Sequence, residues 1–325
     1  MNNIDFNFFY KEELPVDKAW GYSPDLFLSA YNPSERVTKT YRKINAVKKY
    51  WIIQREYALC EAEYPAENFF ICNVQNQNKY QESDFAHELL DSDVGKAIAQ
   101  SESICIDITG FIKPYMMALL FQLENMGKKR IDILFSEPSK YKDKANTKFA
   151  GNFFDIRPVA GYGGVGLSTG TEKEILVIGA GYDNNLIAGI ADEKTSAVKK
   201  IQILGFPSLR ADMYQENVLR VDKAANAVNC HYGTDDSDFY RAPANDPFAT
   251  ASILQKIFSD ITPSFPNASW YLCPLSTKPQ ALGFCLFYLL KCKNKPICLI
   301  YPFGKTHEAE TGEGFARCWK YSLEF

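Results

Sequence analysis

The sequence lacks the patterns that would assign a chemistry at once. It contains no G-x-x-x-x-G-K-[ST] loop, which argues against a Walker-type nucleotide site. Its G-x-S-x-G match, GLSTG at 166–170, lies in a glycine-rich stretch without the preceding strand and following helix of a nucleophile elbow, which argues against a serine hydrolase of the common α/β type. Its three histidines, His87, His231 and His307, show no H-x-E or H-E-x-x-H spacing. We therefore assign no metal ligand, since one acidic stretch at Asp235, Asp236 and Asp238 is more typical of a solvated loop than of a cation site.

The sequence also lacks a strong net charge and long apolar runs. Lysine and arginine number 36 against 39 aspartate and glutamate, so direct nucleic-acid binding through a broad basic surface is not indicated. No apolar run approaches the ~18 residues of a membrane helix, and the amino terminus has no basic leader. The nine cysteines form no C-x-x-C pair and mostly fall in apolar runs. We expect reduced core cysteines and a cytoplasmic protein with no membrane partner.

One pattern occurs five times in the sequence: an apolar β-rich run ends at small or polar residues, and an amphipathic stretch follows. The five runs are DLFLSA (25–30), ICIDITG (104–110), ILVIGAGYDNN (175–185), IQILGFPS (201–208) and WYLCPLSTKP (270–279). Alternating strands and helices are typical of a parallel α/β sheet. Ligands bind such sheets at the carboxyl ends of the strands, so the sequence predicts a pocket there.

The predicted fold class is α/β, with two doubly wound, mostly parallel Rossmann-like layers and an antiparallel C-terminal edge strand. The 325 residues, 46% of them hydrophobic, can bury one or two cores. We place an N-terminal arm at 1–24, a Rossmann-like domain at 25–140, a glycine-rich linker or flap at 141–171 and a second Rossmann-like domain at 172–325. We expect strands to start near 104, 130, 175, 201, 269 and 297, with a further strand at 226–231 and the terminal strand at 318–324. One continuous sheet is the alternative architecture.

Five glycines lie close together in the predicted linker: Gly161, Gly163, Gly164, Gly166 and Gly170. The run superficially resembles a dinucleotide fingerprint, but no strand precedes it and no helix follows it in the sequence pattern. We expect this segment to be a mobile flap that covers the strand-end pocket and becomes ordered when a ligand binds. A linker with no contact to the pocket is the alternative.

The turn after the run at 104–108 supplies the first candidate residues. Asp107 ends a buried strand, where its carboxylate can either reach a ligand or bond the amides of its own turn. Thr109 and Gly110 follow it and are assigned to ligand binding. The turn after the run at 175–179 is similar, with Gly181, Tyr182 and Asn184 assigned to the ligand. Asp183 or Asn184 can cap the next helix, and for this turn capping alone is favoured over ligation.

The turn at 274–279 gives the sharpest signal, because it places Ser276, Thr277 and Lys278 at the predicted start of a helix. Two hydroxyls and an ammonium there can bind the phosphate of a nucleotide, which the helix dipole favours. The alternative is a Ser/Thr cap followed by a solvated lysine. Ser208 and Tyr301, at two neighbouring turns, complete the predicted ligand set.

Two stretches, ICIDITGFIKPYMMALLFQL and CPLSTKPQALGFCLFYLL, resemble the Rossmann-like sensor domains of prokaryotic antiviral systems, including the CRISPR-associated Rossmann group. In that group a strand-end threonine and lysine sit at a cyclic-oligonucleotide pocket. Here the usual glycine-rich lead is replaced by Pro274-Leu275-Ser276. The resemblance implies a nucleotide as the ligand or cofactor and a protein partner in a defence assembly.

A shorter stretch, PDLFLSAYNPSERV at 24–37, is similar to the opening strand and loop of Toll/interleukin-receptor-like domains. That resemblance implies that NAD is bound or cleaved. Glu56 and Glu63 are its nominal candidates for the catalytic glutamate.

Together these patterns favour nucleotide recognition by a Rossmann-like component of a prokaryotic defence or signalling assembly. The ligand would rest on the turns at 107–110, 180–184, 205–208 and 276–278. A first alternative is an enzyme that cleaves NAD or a nucleoside or nucleotide with a strand-end carboxylate, for which Asp107 and Asp183 are the catalytic candidates. A second alternative is a non-catalytic scaffold whose turns are only structural.

Overall fold

The computed structural model describes residues 4–66, 68–71, 81–141, 153–167, 173–233, 238–304, 307 and 312–325. The strands are β1 Tyr10–Leu14, β2 Leu26–Ala30, β3 Lys48–Ile53, β4 Phe69–Ile71, β5 Ile104–Asp107, β6 Arg130–Glu137, β7 Lys140–Tyr141, β8 Phe153–Pro158, β9 Glu174–Gly179, β10 Ala197–Gly205, β11 Phe239–Ala242, β12 Ser269–Pro274, β13 Ile297–Gly304, β14 Gly312–Glu313 and β15 Arg317–Glu324. The α-helices are α1 Glu35–Lys43, α2 Glu82–Asp91, α3 Asp93–Gln100, α4 Lys113–Asn125, α5 Asn184–Glu193, α6 Met213–Lys223, α7 Ala225–Val228, α8 Pro247–Ile261 and α9 Lys278–Lys291.

The chain divides into two units, each with its own sheet. The first unit comprises Phe9–Gly151 and Lys305–Phe325, and the second comprises Met1–Phe8 and Asn152–Gly304. The boundary near 151 falls in the predicted linker. The ends of the chain differ from the predicted division, because the terminal strand joins the first unit and the first eight residues join the second.

The sheet of the first unit has the order β1-β15-β6-β5-β2-β3-β4. The strands from β6 to β4 are parallel, while β15 pairs antiparallel with β6 and β1 pairs antiparallel with β15. The expected antiparallel edge is thus present as a pair of strands, with β1 outermost. The order of the parallel strands reverses between β2 and β5, which is the position where doubly wound sheets open a crevice.

The sheet of the second unit has the order β11-β10-β9-β12-β13-β8. Its first five strands are parallel and β8 pairs antiparallel with β13. Read in chain order, the parallel strands of both sheets follow the same 3-2-1-4-5 arrangement, so the expected fold class of two mostly parallel, Rossmann-like α/β layers is confirmed. The reversal in the second sheet falls between β9 and β12.

Burial on both faces explains why these strands read as continuous apolar runs. The interior residues of β9, from Ile175 to Ile178, are fully buried. A parallel sheet covered by helices needs apolar side chains on both faces. Helix α9 is also buried along most of its length, and Gly283 lets it approach α8, since a Cβ there would lie 2.4 Å from the Pro247 carbonyl oxygen.

Two elements of the second unit differ from the sequence prediction. The expected strand at 226–231 is wrong, because Ala225–Val228 forms the short helix α7. Alanine favours helix, and this segment has three alanines in its first turns, counting Ala224. The third strand of the sheet is instead β11, which at four residues is too short to produce a periodic signal. Strand β8 lies inside the predicted linker.

The glycine-rich segment lies at the opposite edge of the second sheet from the predicted pocket. Because β8 is antiparallel to β13, it carries the chain back to the amino end of β13, where Val165 N donates to Lys295 O over 3.0 Å. A Cβ on Gly164 would lie 2.5 Å from the Ile297 carbonyl oxygen, so the segment packs closely on the start of that strand. The expectation of a flap over the strand ends is therefore wrong for residues 161–166, and Gly170 lies outside the described residues.

Candidate functional site

The reversal of strand order in the second sheet brings the turns after β9 and β12 into direct contact. A Cβ on Gly181 would lie 2.5 Å from the Leu275 carbonyl oxygen, and a Cβ on Gly179 would lie 2.9 Å from Ser276 Oγ. No side chain fits at either position without displacing the other turn. The two glycines, both buried, therefore permit close packing between the turns at the carboxyl edge.

The turn after β9 is held mostly by bonds within the protein. Asp183 caps α5, its Oδ1 accepting from Asn185 N over 3.0 Å and from Leu186 N over 3.3 Å. From α6, Asn217 Nδ2 donates to the carbonyl oxygens of Ala180 and Gly181. The capping interpretation thus accounts for the Asp183 carboxylate.

The two other residues predicted in this turn have different surroundings. Asn184 Oδ1 accepts from Arg220 Nη1 over 3.3 Å, and that arginine also pairs with Glu216. Tyr182 is half-buried. Asn184 is therefore engaged by α6, while Tyr182 lies in the part of the turn nearest to the contact with Leu275.

The turn after β12 contains two neighbouring hydroxyls with opposite surroundings. Thr277 is the N-cap of α9: its Oγ1 accepts from Gln280 N over 3.3 Å and donates to Ala244 O over 2.5 Å. Ser276 is 7% exposed, and among the described residues its Oγ has no hydrogen-bond partner. Lys278 is half-buried as the first residue of the helix. The cap interpretation therefore applies to Thr277 but leaves Ser276 unexplained.

Gln280 adds a second polar atom without a partner in the first turn of α9. Its side chain is 1% exposed, and Nε2 donates to Ala242 O over 3.1 Å. Its Oε1 has no partner among the residues that the structure describes. A buried polar atom left unbonded costs about 1–3 kcal/mol, and such atoms are uncommon in native proteins. Ser276 Oγ and Gln280 Oε1 thus mark a place where a ligand or ordered water completes the structure.

The charges at this edge favour an anion at α9 over its neighbours. Helices α5 and α8 begin with Asp183 and Asp246, whose carboxylates already accept from the first free amides. Helix α9 begins with the neutral Thr277, has no acidic residue in its first turn and carries Lys278 there. Because a helix N-terminus has a partial positive charge, α9 is the more favourable of these three positions for a phosphate.

The corresponding turn of the first sheet is closed by its own residues. Asp107 is fully buried, and its carboxylate accepts from Ser29 Oγ over 3.1 Å and from Thr109 N over 2.9 Å. Thr109 Oγ1 in turn accepts from Ser136 N over 2.9 Å. These contacts match the Asx-turn interpretation of Asp107 and give Thr109 a structural contact.

Gly110 is also held by packing and by a hydrogen bond within the first unit. A Cβ there would lie 1.9 Å from the Ala30 carbonyl oxygen, and Gly110 O accepts from Tyr57 Oη over 2.6 Å. Gln54 Oε1 accepts from Ile112 N at the start of α4. The predicted ligand set is therefore split between two sheets: Thr109 and Gly110 belong to the first, and the remaining residues belong to the second.

Ser208 and Tyr301 lie near the carboxyl edge of the second sheet, and both contact residues close to them in the sequence. Ser208 Oγ donates to Arg210 O within its own turn. Tyr301 is buried inside β13, with its ring centroid 5.8 Å from that of Phe303. Ser208 thus bonds within its own turn, and Tyr301 packs against a residue of its own strand.

The Toll/interleukin-receptor-like resemblance implies Glu56 and Glu63 as candidates for the catalytic glutamate. Both lie in the first unit, and their surroundings differ. Burial raises the pKa of Glu56, whose Oε1 accepts from Tyr115 Oη. Hydrogen bonds from Cys60 lower the pKa of Glu63, which caps a short 3-10 helix. The pKa values of the two carboxyl groups are therefore shifted in opposite directions.

The described residues were also compared with the requirements of a metal site and of a membrane-spanning helix. In ranges 4–66, 68–71, 81–141, 153–167, 173–233, 238–304, 307 and 312–325, no group of three or more His, Cys, Asp or Glu side chains is arranged to hold a metal ion. Asp238 pairs with Lys199, while Asp235 and Asp236 lie outside those ranges. None of the described helices is long and apolar enough to cross a membrane.

Sequence reasoning missed Gln280 and two exposed residues at the neighbouring strand ends, Phe206 after β10 and Arg241 on β11. Gln280 could have been found as an isolated polar residue in the apolar run QALGFCLFYLL, since a buried amide in such a helix needs a partner. Phe206 and Arg241 carry no comparable local signal, because their relation depends on how β10 and β11 are placed side by side.

The chain matches no family model, no curated protein and no solved structure.

Proposed function

We propose that the chain recognises a nucleotide-type ligand at the carboxyl edge of the second sheet, with a phosphate at the start of α9. The observation that carries this proposal is the buried, unpartnered Ser276 Oγ beside a helix N-terminus that has no acidic cap. A hydroxyl in this position donates to a phosphate oxygen, and the partial positive charge of the helix N-terminus favours the anion.

The neighbouring groups fit the other parts of a nucleotide. Lys278, at the first position of α9, supplies a positive charge for the phosphate. Gln280 Oε1 can only accept a hydrogen bond, so it suits a sugar hydroxyl or an amino group of a base. A ligand with an anionic end and an adjacent donor satisfies both unpartnered atoms, which a simple inorganic anion does not.

Support for a wider role comes from the resemblance alone. The stretch containing Ser276-Thr277-Lys278 resembles the turn of prokaryotic antiviral sensor domains. On that basis we propose that binding acts within a defence or signalling assembly through a protein partner. The carboxylates suggested for the enzymatic alternative, Asp107 and Asp183, are held in an Asx turn and a helix cap, so neither supplies a specific observation in favour of cleavage.

The direct test is a titration of the purified chain with ribonucleoside triphosphates and with inorganic triphosphate, followed by calorimetry. Ser276→Ala and Lys278→Ala should each weaken binding by about 10-fold or more, since hydrogen bonds to charged groups contribute about 1.5–3 kcal/mol. Lys278→Ala should also make the remaining affinity less dependent on salt. Lys291→Ala, at the other end of the same helix, is the matched control and should bind as the parent does.

Three results would count against the proposal. Binding of no nucleotide by the parent chain removes the site, and equal losses in the Lys291 control show that general charge is responsible. Release of free base from NAD or a nucleoside, detected by chromatography and lost in Asp107→Asn, favours the enzymatic alternative instead.

A further inference from the structure

An aromatic and arginine cluster lies at the same edge of the second sheet, beyond the residues assigned so far. It comprises Phe206, Tyr214, Tyr232 and Arg241, and we call it the Arg241 cluster. Arg241 Nε donates to Tyr214 Oη over 3.1 Å and Arg241 Nη2 donates to Tyr232 Oη over 2.8 Å. The two hydroxyls are 2.7 Å apart, so both bonds come from one side of the guanidinium group.

This arrangement leaves the opposite edge of the guanidinium available. A guanidinium has five N–H donors in a planar fork, and the tyrosines use Nε and one hydrogen of Nη2. Nη1 and the second hydrogen of Nη2 form a pair of parallel donors on the other edge. Arg241 is exposed, and no carboxylate among the described residues pairs with it. Hydrogen bonds to Tyr214 and Tyr232 raise the pKa of the group further, so it stays charged.

Phe206 places an aromatic surface beside this fork. Its side chain is 47% exposed, which is uncommon for phenylalanine, and its ring centroid lies 4.7 Å from that of Tyr214. Backbone pairing fixes its position, since Phe206 N donates to Ala242 O, the residue after Arg241. The ring is therefore held at the end of β10 by contacts with both α6 and β11.

The cluster is continuous with the site at α9. Gly205, which precedes Phe206, has Gln280 Oε1 3.6 Å from the position of its absent Cβ. The unpartnered acceptor of Gln280 thus lies between the N-terminus of α9 and the exposed ring. The Arg241 cluster therefore lies next to α9, the helix at whose start we place the phosphate.

We propose that the Arg241 cluster is the base subsite of the ligand site: Phe206 stacks the nucleobase, and Arg241 donates two parallel hydrogen bonds to its acceptor edge. The subsite rests on the nucleotide function proposed above and deepens it. Among the bases, guanine presents two adjacent acceptors, O6 and N7, that match a guanidinium fork. The ligand class is therefore a guanine nucleotide, and an aromatic base of any kind gains the stacking energy.

The test compares GTP, 7-deaza-GTP, UTP and inorganic triphosphate on the parent chain and on four variants. In 7-deaza-GTP the N7 acceptor is replaced by carbon, so only one bond to the fork remains. The parent should bind GTP about 2- to 12-fold more tightly than 7-deaza-GTP, which corresponds to half of one bidentate pair. Arg241→Gln should abolish that preference, whereas Arg241→Lys, which keeps the charge but loses the planar fork, should reduce it.

Phe206→Ala should weaken all nucleotides by about 5- to 150-fold and leave inorganic triphosphate unchanged, because only the base is stacked. Phe206→Trp, which keeps an aromatic face, should retain the parent's affinity for nucleotides. Circular dichroism and the melting temperature of each variant show whether it is folded.

The outcomes separate this inference from the proposed function. If triphosphate and nucleotides bind the parent equally, and the Phe206 and Arg241 variants match it, the base subsite is refuted while the phosphate site stands. If Phe206→Ala alone reduces binding and 7-deaza-GTP binds as well as GTP, the assignment of guanine is refuted. Binding of none of the probes to the parent overturns both the subsite and the function on which it rests.

Discussion

Replacing Ser276 by alanine should stabilise the protein and weaken its ligand binding at the same time. The Oγ atom is buried and has no partner among the described residues, so no protein group among them offsets its desolvation cost of about 1–3 kcal/mol. Alanine keeps the Cβ and removes only the oxygen, leaving a void smaller than a methylene group. Allowing for that void, we expect a net gain of about 0.5–2 kcal/mol in the free energy of unfolding.

The neighbouring hydroxyl provides the matched comparison. Thr277 Oγ1 accepts from Gln280 N and donates to Ala244 O, so Thr277→Ala removes both a helix cap and a tertiary bond. We expect a loss of about 0.5–2 kcal/mol from the cap alone. Two adjacent hydroxyl deletions in one turn should therefore shift stability in opposite directions.

Thermal and urea unfolding without ligand measure both changes. A change of 1 kcal/mol corresponds to about 2–4 °C in melting temperature for a domain of this size. Calorimetric titration with a nucleotide then gives the affinity, which should fall by about 10-fold or more for Ser276→Ala. A loss of stability in Ser276→Ala comparable to that in Thr277→Ala would show that Ser276 Oγ is already satisfied, and would remove the main support for the site.

Three further variants test the packing and charges around the two sheets. Gly181→Ala should destabilise by about 1–3 kcal/mol in urea unfolding, because its Cβ would lie 2.5 Å from Leu275 O; Gly163→Ala, which meets nothing within 4 Å, is the control and should be tolerated. Lys200 is 7% exposed and donates to Ala191 O and Ala227 O, so Lys200→Met should cost about 1–3 kcal/mol, whereas Lys199→Met should change stability by less than about 1 kcal/mol. Burial raises the pKa of Glu56 above 4.5, so the folded chain holds this proton more tightly and loses stability as the pH rises above that value. Glu56→Gln should remove that part of the pH dependence, and an unchanged slope between pH 4 and 8 in urea unfolding would contradict the assignment.

The sequence was most informative about the parallel strands and their turns. The runs beginning near 104, 130, 175, 201, 269 and 297 all form strands, because two-sided burial requires continuous apolar segments. For the terminal strand Arg317–Glu324, the sequence predicted an antiparallel orientation but not the strands with which it pairs. Strand β1 pairs with the other edge of β15. This pairing depends on contacts between residues more than 300 positions apart, such as Tyr10 with Ser322.

The candidate site was predictable at the level of turns but not of atoms. Ser276, Thr277 and Lys278 were identified by composition, yet only the structure distinguishes the bonded hydroxyl of Thr277 from the unbonded one of Ser276. From the sequence, we expected Gly181 to let a ligand approach the backbone closely. In the structure, the turn after β12 approaches Gly181 instead. Local patterns indicate which residue types a site needs, while their partners come from distant segments of the chain.

The position of β15 in the first sheet affects the order in which the protein can be assembled during translation. Strand β6 pairs with β15 along Arg130–Glu137, and β15 is made only after the whole of the second unit. Until then β6 presents an unpaired strand edge, and the core positions of Cys318 and Tyr321 are empty. Residues Asn152–Gly304 contain all six strands of the second sheet, so that sheet can form before the last strand of the first sheet has been synthesised.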